Sequence, residues 1–117
     1  MWDEITEFSI LYDFYGELLP EKMREIFRLY HEENLSLAEI AESFGMSRQG
    51  VHESVRRAEE KLRGYEATLG LAERFTEQET VLNELRESIR ALEAGDRSPE
   101  TREIIRTVSR SIARLEG

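Results

Sequence analysis

Residues 35–62 read LSLAEIAESFGMSRQGVHESVRRAEEKL, with a helix-start signal on either side of one glycine. Ser36 followed by Glu39 is a capping box: the hydroxyl accepts the N–H three residues on, and the carboxylate reaches back to the cap's own N–H. Leu35 and Ile40 stand at the spacing of the hydrophobic staple that accompanies such a box. Gly45 supplies a left-handed stop. Ser47 then caps a second helix, with Met46 and Val51 as its staple. This pattern constrains the fold more than any other feature of the chain, because it fixes two helices, the tight turn between them and the side chains that must meet. Ile40, Phe44, Met46 and Val51 fall where the two helices touch. Ala41 provides the small residue at their crossing, and Gly45 the positive φ of the turn. Residues 36–62 therefore read as a helix-turn-helix. Ser54 stands where a third apolar contact is usual, and Val55 takes that role one place later.

The flanking sequence is helical too, since no segment alternates with period two. A first helix is expected over about residues 3–18, with Ile5, Phe8, Tyr12, Tyr15 and Leu19 as its apolar stripe, widened by Leu11 and Leu18. At this spacing Trp2, Tyr12, Tyr15 and Tyr30 belong to a core rather than to a base-stacking surface. Pro20 opens a second helix, with Met23, Ile26, Phe27 and Tyr30 inward, that ends near HEEN. The second motif helix turns Val51, Val55, Ala58 and Leu62 inward. Gly64 and Gly70 each cost ~1 kcal/mol against alanine without having to break it, so residues 47–94 form one helix or two. Phe75, Leu82, Leu85, Ile89 and Leu92 lie on one seam, with Gln78 its polar exception. After the turn GDRSPE the seam resumes with Ile105, Val108, Ile112 and Leu115. Two helices so joined pack antiparallel. Arg102, Arg106, Arg110 and Arg114 recur every fourth residue and are expected to face Glu73, Glu77, Glu84 and Glu87 across the hairpin. The chain is thus read as all-α: a helix-turn-helix domain over residues 1–68, preceded within it by a helical pair, and a C-terminal helical hairpin over residues 69–117. The apolar seams exceed what one hairpin covers, which predicts oligomerisation, a homodimer.

Composition narrows the function. The absence of cysteine excludes disulfides, thiolate metal sites and a cysteine nucleophile. His31 and His52 are too far apart for a metal pair and are expected at the surface or at a cap. No catalytic constellation, phosphate loop, cofactor motif, membrane span or signal peptide is present, so the reading is a cytoplasmic non-enzyme. The 117 residues carry a net charge of -9. The charge is uneven: nine acids against three bases in residues 1–34, five against five in 35–64, and eleven against eight in 65–117. The motif therefore occupies the neutral part of an acidic chain, and phosphate attraction, the usual main source of affinity for nucleic acid, must be local and modest.

With the second motif helix anchored inward, its outer face carries Arg48, Gln49, His52, Glu53 and Arg56. In a helix-turn-helix the start of this helix enters the major groove. Arg48 suits a guanine edge, Gln49 an adenine edge and Glu53 a cytosine amine. His52 suits a base or a phosphate, Ser47 a phosphate beside its capping role, and Arg56 and Arg57 the backbone. Such residues are equally ordinary on a solvated helix face. The alternative to DNA or RNA binding is a protein adaptor.

The stretch from Leu11 to Phe75 resembles the YlxM family of small bacterial helix-turn-helix proteins, encoded beside genes of the signal recognition particle. LYDFY, LSLAEIAE, SRQGVHESVRR and YEATLGL carry the resemblance, and the motif is also similar to region 4 of sigma factors over residues 21–62. The resemblance implies a sigma-region-4-like helical fold, a regulatory role in the signal recognition particle pathway with its components as partners, and DNA-facing positions at Ser47, Arg48, Gln49, His52, Glu53 and Arg56. Gly50 and His52 depart from it, at places where alanine and tyrosine are expected.

Overall fold

The computed structural model describes residues 2–116. Six α-helices follow one another: α1 (Glu4–Tyr15), α2 (Glu21–His31), α3 (Leu37–Phe44), α4 (Arg48–Leu69), α5 (Leu71–Gly95) and α6 (Pro99–Glu116), with a short 3₁₀ turn at Gly16–Leu18. Among the described residues there is no strand, and no helix is long and apolar enough to cross a membrane. The helices form two compact units, Met1–Ala72 and Glu73–Gly117.

In the first unit, local signals set the helix starts. The Thr6 N–H donates to Asp3 Oδ1 at 2.7 Å, which caps α1. The capping box of α3 is complete: the Glu39 N–H donates to Ser36 Oγ at 3.1 Å, and the Ser36 N–H to Glu39 Oε1 at 3.0 Å. These bonds hold the Asp3 and Glu39 carboxyls below their ordinary pKa, because the charged form is the better acceptor. Gly45 has φ +63°, the left-handed conformation the turn requires. Helix α4 runs through Gly64 and ends at Gly70, where φ is +62°. Residues 47–94 are therefore not one continuous helix.

Two cores stack along α4. Val51 and Val55 meet Ile26, Ile40 and Ala41, with Leu35, Phe44 and Met46 packed against them. Ala58 and Leu62 meet Phe8, Leu11, Tyr15, Leu19, Phe27 and Ala72. The inward row expected for α4 is thus buried throughout. The stripe expected for α1 holds only in part. Phe8, Leu11, Tyr15 and Leu19 are buried, but Ile5 is 75% and Leu18 56% exposed. The helix also stops earlier, at Tyr15, where the chain tightens into the 3₁₀ turn. Pro20 lies one place before α2 rather than at its first position.

His31, the last residue of α2, is half-buried. Its ring stacks on Phe27 at a 4.4 Å centroid distance, and its Nε2 lies 2.9 Å from Glu59 Oε2, which ties α2 to α4. A second long-range tie organises the start of α5. The buried Tyr15 hydroxyl donates to Glu66 Oε1 at 2.6 Å and accepts from the Leu71 N–H at 3.0 Å, while the Ala72 N–H donates to Glu66 Oε1 at 3.0 Å. Two N–H groups that a helix start would leave unpaired are satisfied this way. Burial, reinforced by the bond to Glu66, raises the Tyr15 pKa.

In the second unit α5 and α6 run antiparallel: Arg86, Ile89, Arg90 and Glu93 share one groove with Ser109, Ile112 and Glu116. Leu82, Ile105 and Ile112 are buried between them, whereas Phe75, Leu85, Leu92 and Leu115 of the expected seams stay largely exposed. The charge pairing differs from expectation. Among the described residues the one ion pair between these two helices joins Arg86 of α5 to Glu116 of α6. Arg106 turns to Glu103 on its own helix, and Arg102, Arg110 and Arg114 make no ion pair among the described residues. Arg90 and Arg106 each pair with an acid three residues before them on their own helix, the neighbour position that helix geometry supplies.

Candidate nucleic-acid interface

The interface is built on the elbow between α3 and α4. The Gly45 N–H donates to the Ala41 and Glu42 carbonyls, and the Met46 N–H to the Ala41 carbonyl at 3.0 Å, which closes the end of α3. Ser47 then opens α4, its Oγ accepting the Gly50 N–H at 3.0 Å. A Cβ at Gly50 would stand 3.1 Å from that Oγ, so the glycine leaves the cap undisturbed where an alanine would crowd it. Below the surface Ile40, Ala41, Val51 and Val55 lock the two helices together. The outer face of α4 is consequently a rigid platform rather than a loop.

On this platform the expected residues divide into two groups. Arg48, Gln49 and His52 are exposed and line one shallow concavity of about 350 Å³. Among the described residues they have no hydrogen-bond or ion-pair partner, so their donors and acceptors are available to a ligand. The other charged positions are engaged. Arg57 Nε lies 3.7 Å from Glu53 Oε1, and Arg56 donates to Glu60 Oε1 at 3.4 Å, both one helical turn away. Glu53 is half-buried, and Ser47 is committed to its cap. The concavity has a fourth wall that the sequence reading did not single out: Leu37, the first residue of α3. The helix-turn-helix pattern itself carries that signal, since the elbow folds the start of α3 back beside the first turn of α4.

The local electrostatics match a selective rather than an adhesive surface. Arg48 is an unpaired cation beside the Gln49 amide, which both donates and accepts, and the two ring nitrogens of His52. Nearby Arg56 and Arg57 carry their charge already partnered. Such a face offers hydrogen-bonding groups to a ligand and carries little net positive charge.

Residues 2–101 match the UPF0122 family, described as "Putative helix-turn-helix protein, YlxM / p13 like". A UPF0122 protein of Thermoanaerobacter sp. strain X514 is 40% identical over 115 residues, 98% of each chain. One from Symbiobacterium thermophilum is 43% identical over 86 residues, covering 74% of this chain and 80% of its own length. One from Acetivibrio thermocellus is 34% identical over 113 residues, 97% of each chain.

Proposed function

We propose, on the premise that this chain belongs to the UPF0122 family of YlxM / p13-like helix-turn-helix proteins, that it is a cytoplasmic, non-enzymatic regulator that binds nucleic acid through the start of α4. The observation that carries this reading is the grouping of Arg48, Gln49 and His52, unpartnered among the described residues, around one shallow concavity at the start of α4. Arg48 takes a base edge, Gln49 a second one, His52 a base or a phosphate. Ser47, Glu53, Arg56 and Arg57 form the flank that meets the backbone or rejects the wrong sequence. The test is a titration of labelled genomic fragments at low ionic strength, repeated as salt is raised. Binding is expected, and it is expected to weaken with salt along a shallow slope, because few phosphates are neutralised. A flat titration at the lowest salt rejects the reading.

The active species is proposed to be a homodimer joined through α5 and α6. A unit this small rarely sustains itself on its own core. Here Leu82, Ile105 and Ile112 are buried, while Val81, Leu85, Leu92 and Ile104 remain exposed. A second hairpin laid against the first would cover them as a four-helix bundle. Sedimentation across the micromolar range is expected to give the mass of two chains, and a monomer throughout would refute the dimer.

A second reading, an adaptor for signal recognition particle components that does not read DNA, draws on the nine acids against three bases in residues 1–34. Its signature is a protein partner retained on pull-down after Arg48→Ala. Control of that particle's pathway is the biological setting we propose under either reading.

A further inference from the structure

Leu37 closes the concavity that Arg48, Gln49 and His52 line. It is half-buried, packed on one side against the Ile40 and Val51 core and presented on the other to the opening. Its position is therefore fixed by the core, as a reading contact requires. An apolar wall beside three hydrogen-bonding side chains suits a ligand that carries an apolar group next to a polar edge. Among the groups that base pairs display in the major groove, the apolar one is the C5 methyl of thymine. Uracil lacks it, and the narrow major groove of A-form RNA shuts side chains out.

We propose that Leu37 is a specificity-determining residue that packs against a thymine C5 methyl adjacent to the base edge taken by Arg48 or Gln49, and that the ligand is accordingly B-form DNA. This rests on the nucleic-acid reading proposed above and deepens it, because it names the polymer and one feature of the site. An aliphatic side chain neutralises no phosphate. Its contribution is confined to one A·T position and leaves the salt dependence unchanged.

The probe is the duplex that the wild-type chain enriches from a random-sequence DNA pool. It is synthesised with thymine and again with deoxyuridine at each A·T pair in turn, a change that removes the methyl and preserves the pairing. Replacement at one position is expected to weaken wild-type binding about fourfold, the worth of one buried methyl. In Leu37→Ala the same replacement is expected to have no effect, so that the two changes are not additive. The wild-type comparison needs no variant and stands even if Leu37→Ala folds poorly. An enriched site without an A·T pair overturns the proposal. So does indifference of the wild type to deoxyuridine at every position, or equal affinity for the RNA duplex of the same sequence, while duplex binding itself stands. Failure of the pool to enrich at all overturns the nucleic-acid reading and this inference with it.

Discussion

Replacing Phe27 by alanine is expected to cost about 3–5 kcal/mol of folding free energy, the range for deleting a buried aromatic side chain. Phe27 is fully buried on α2. Its ring meets Phe8 of α1 edge-on at 6.3 Å, stacks on Tyr12 at 5.2 Å and carries His31 at 4.4 Å. His31 in turn holds Glu59 of α4. The void would thus be bounded by two rings of α1 and by the His31 ring, which is pinned to α4, so its walls cannot easily collapse into it. For a domain whose whole stability is of order 5–15 kcal/mol, such a loss removes a large share. The melting temperature should fall by roughly 12–40 °C, as thermal circular dichroism would measure. Ile5→Ala is the contrasting case. Ile5 stands three residues before Phe8 and belongs to the same sequence stripe, yet it is 75% exposed, and its replacement should change stability by no more than about 0.5 kcal/mol. Comparable losses in the two variants would show that the core is not centred on α2 and α4.

The contrast between Phe27 and Ile5 also marks what the sequence conveys. The motif was legible because its determinants are local. Ser36 and Glu39, Gly45, Ser47 and the Val51–Leu62 row each act within one or two turns, and each does in the structure what its spacing predicts. Helix α1 is apolar on more than one side, so periodicity alone could not choose its phase. Packing against Phe27 and Leu62 makes the choice and leaves Ile5 and Leu18 outside. The ties from His31 to Glu59 and from Tyr15 to Glu66 join residues far apart in the chain, and no local pattern announces them. The arginine row on α6 misled for the opposite reason. Its regular spacing predicts a cross-helix ladder, but Arg106 pairs with Glu103 on its own helix. At the candidate site the sequence placed the outer face of α4, yet it could not say which cations there were already paired. That depends on whether Glu53 and Glu60 reach back to Arg57 and Arg56, and they do.

That division among the arginines gives the binding counterpart of the Phe27 prediction. Arg48→Ala is expected to reduce affinity for the preferred duplex by roughly 5–150-fold, the 1–3 kcal/mol that a bidentate contact to a guanine contributes. Sequence preference should relax at that position alone. Arg57→Ala should act differently. Its guanidinium shares its charge with Glu53, so its removal weakens binding to all sequences alike and mainly flattens the salt dependence. Fluorescence anisotropy with the preferred duplex and a scrambled one, each across a salt series, separates the two effects. The net charge of -9 sharpens the expectation rather than opposing it. Repulsion between the acidic surfaces and DNA decays over about 10 Å at 0.1 M salt. It therefore penalises every duplex equally, while a contact such as that of Arg48 favours one. A basic reader with the same motif would hold any DNA firmly and gain a modest ratio from its base contacts. This chain is expected to hold scrambled DNA poorly, so its discrimination would rest on a few edges, and losing Arg48 should remove a large share of it. Equal affinities for wild type and Arg48→Ala, with preference intact, would remove α4 as the reading element.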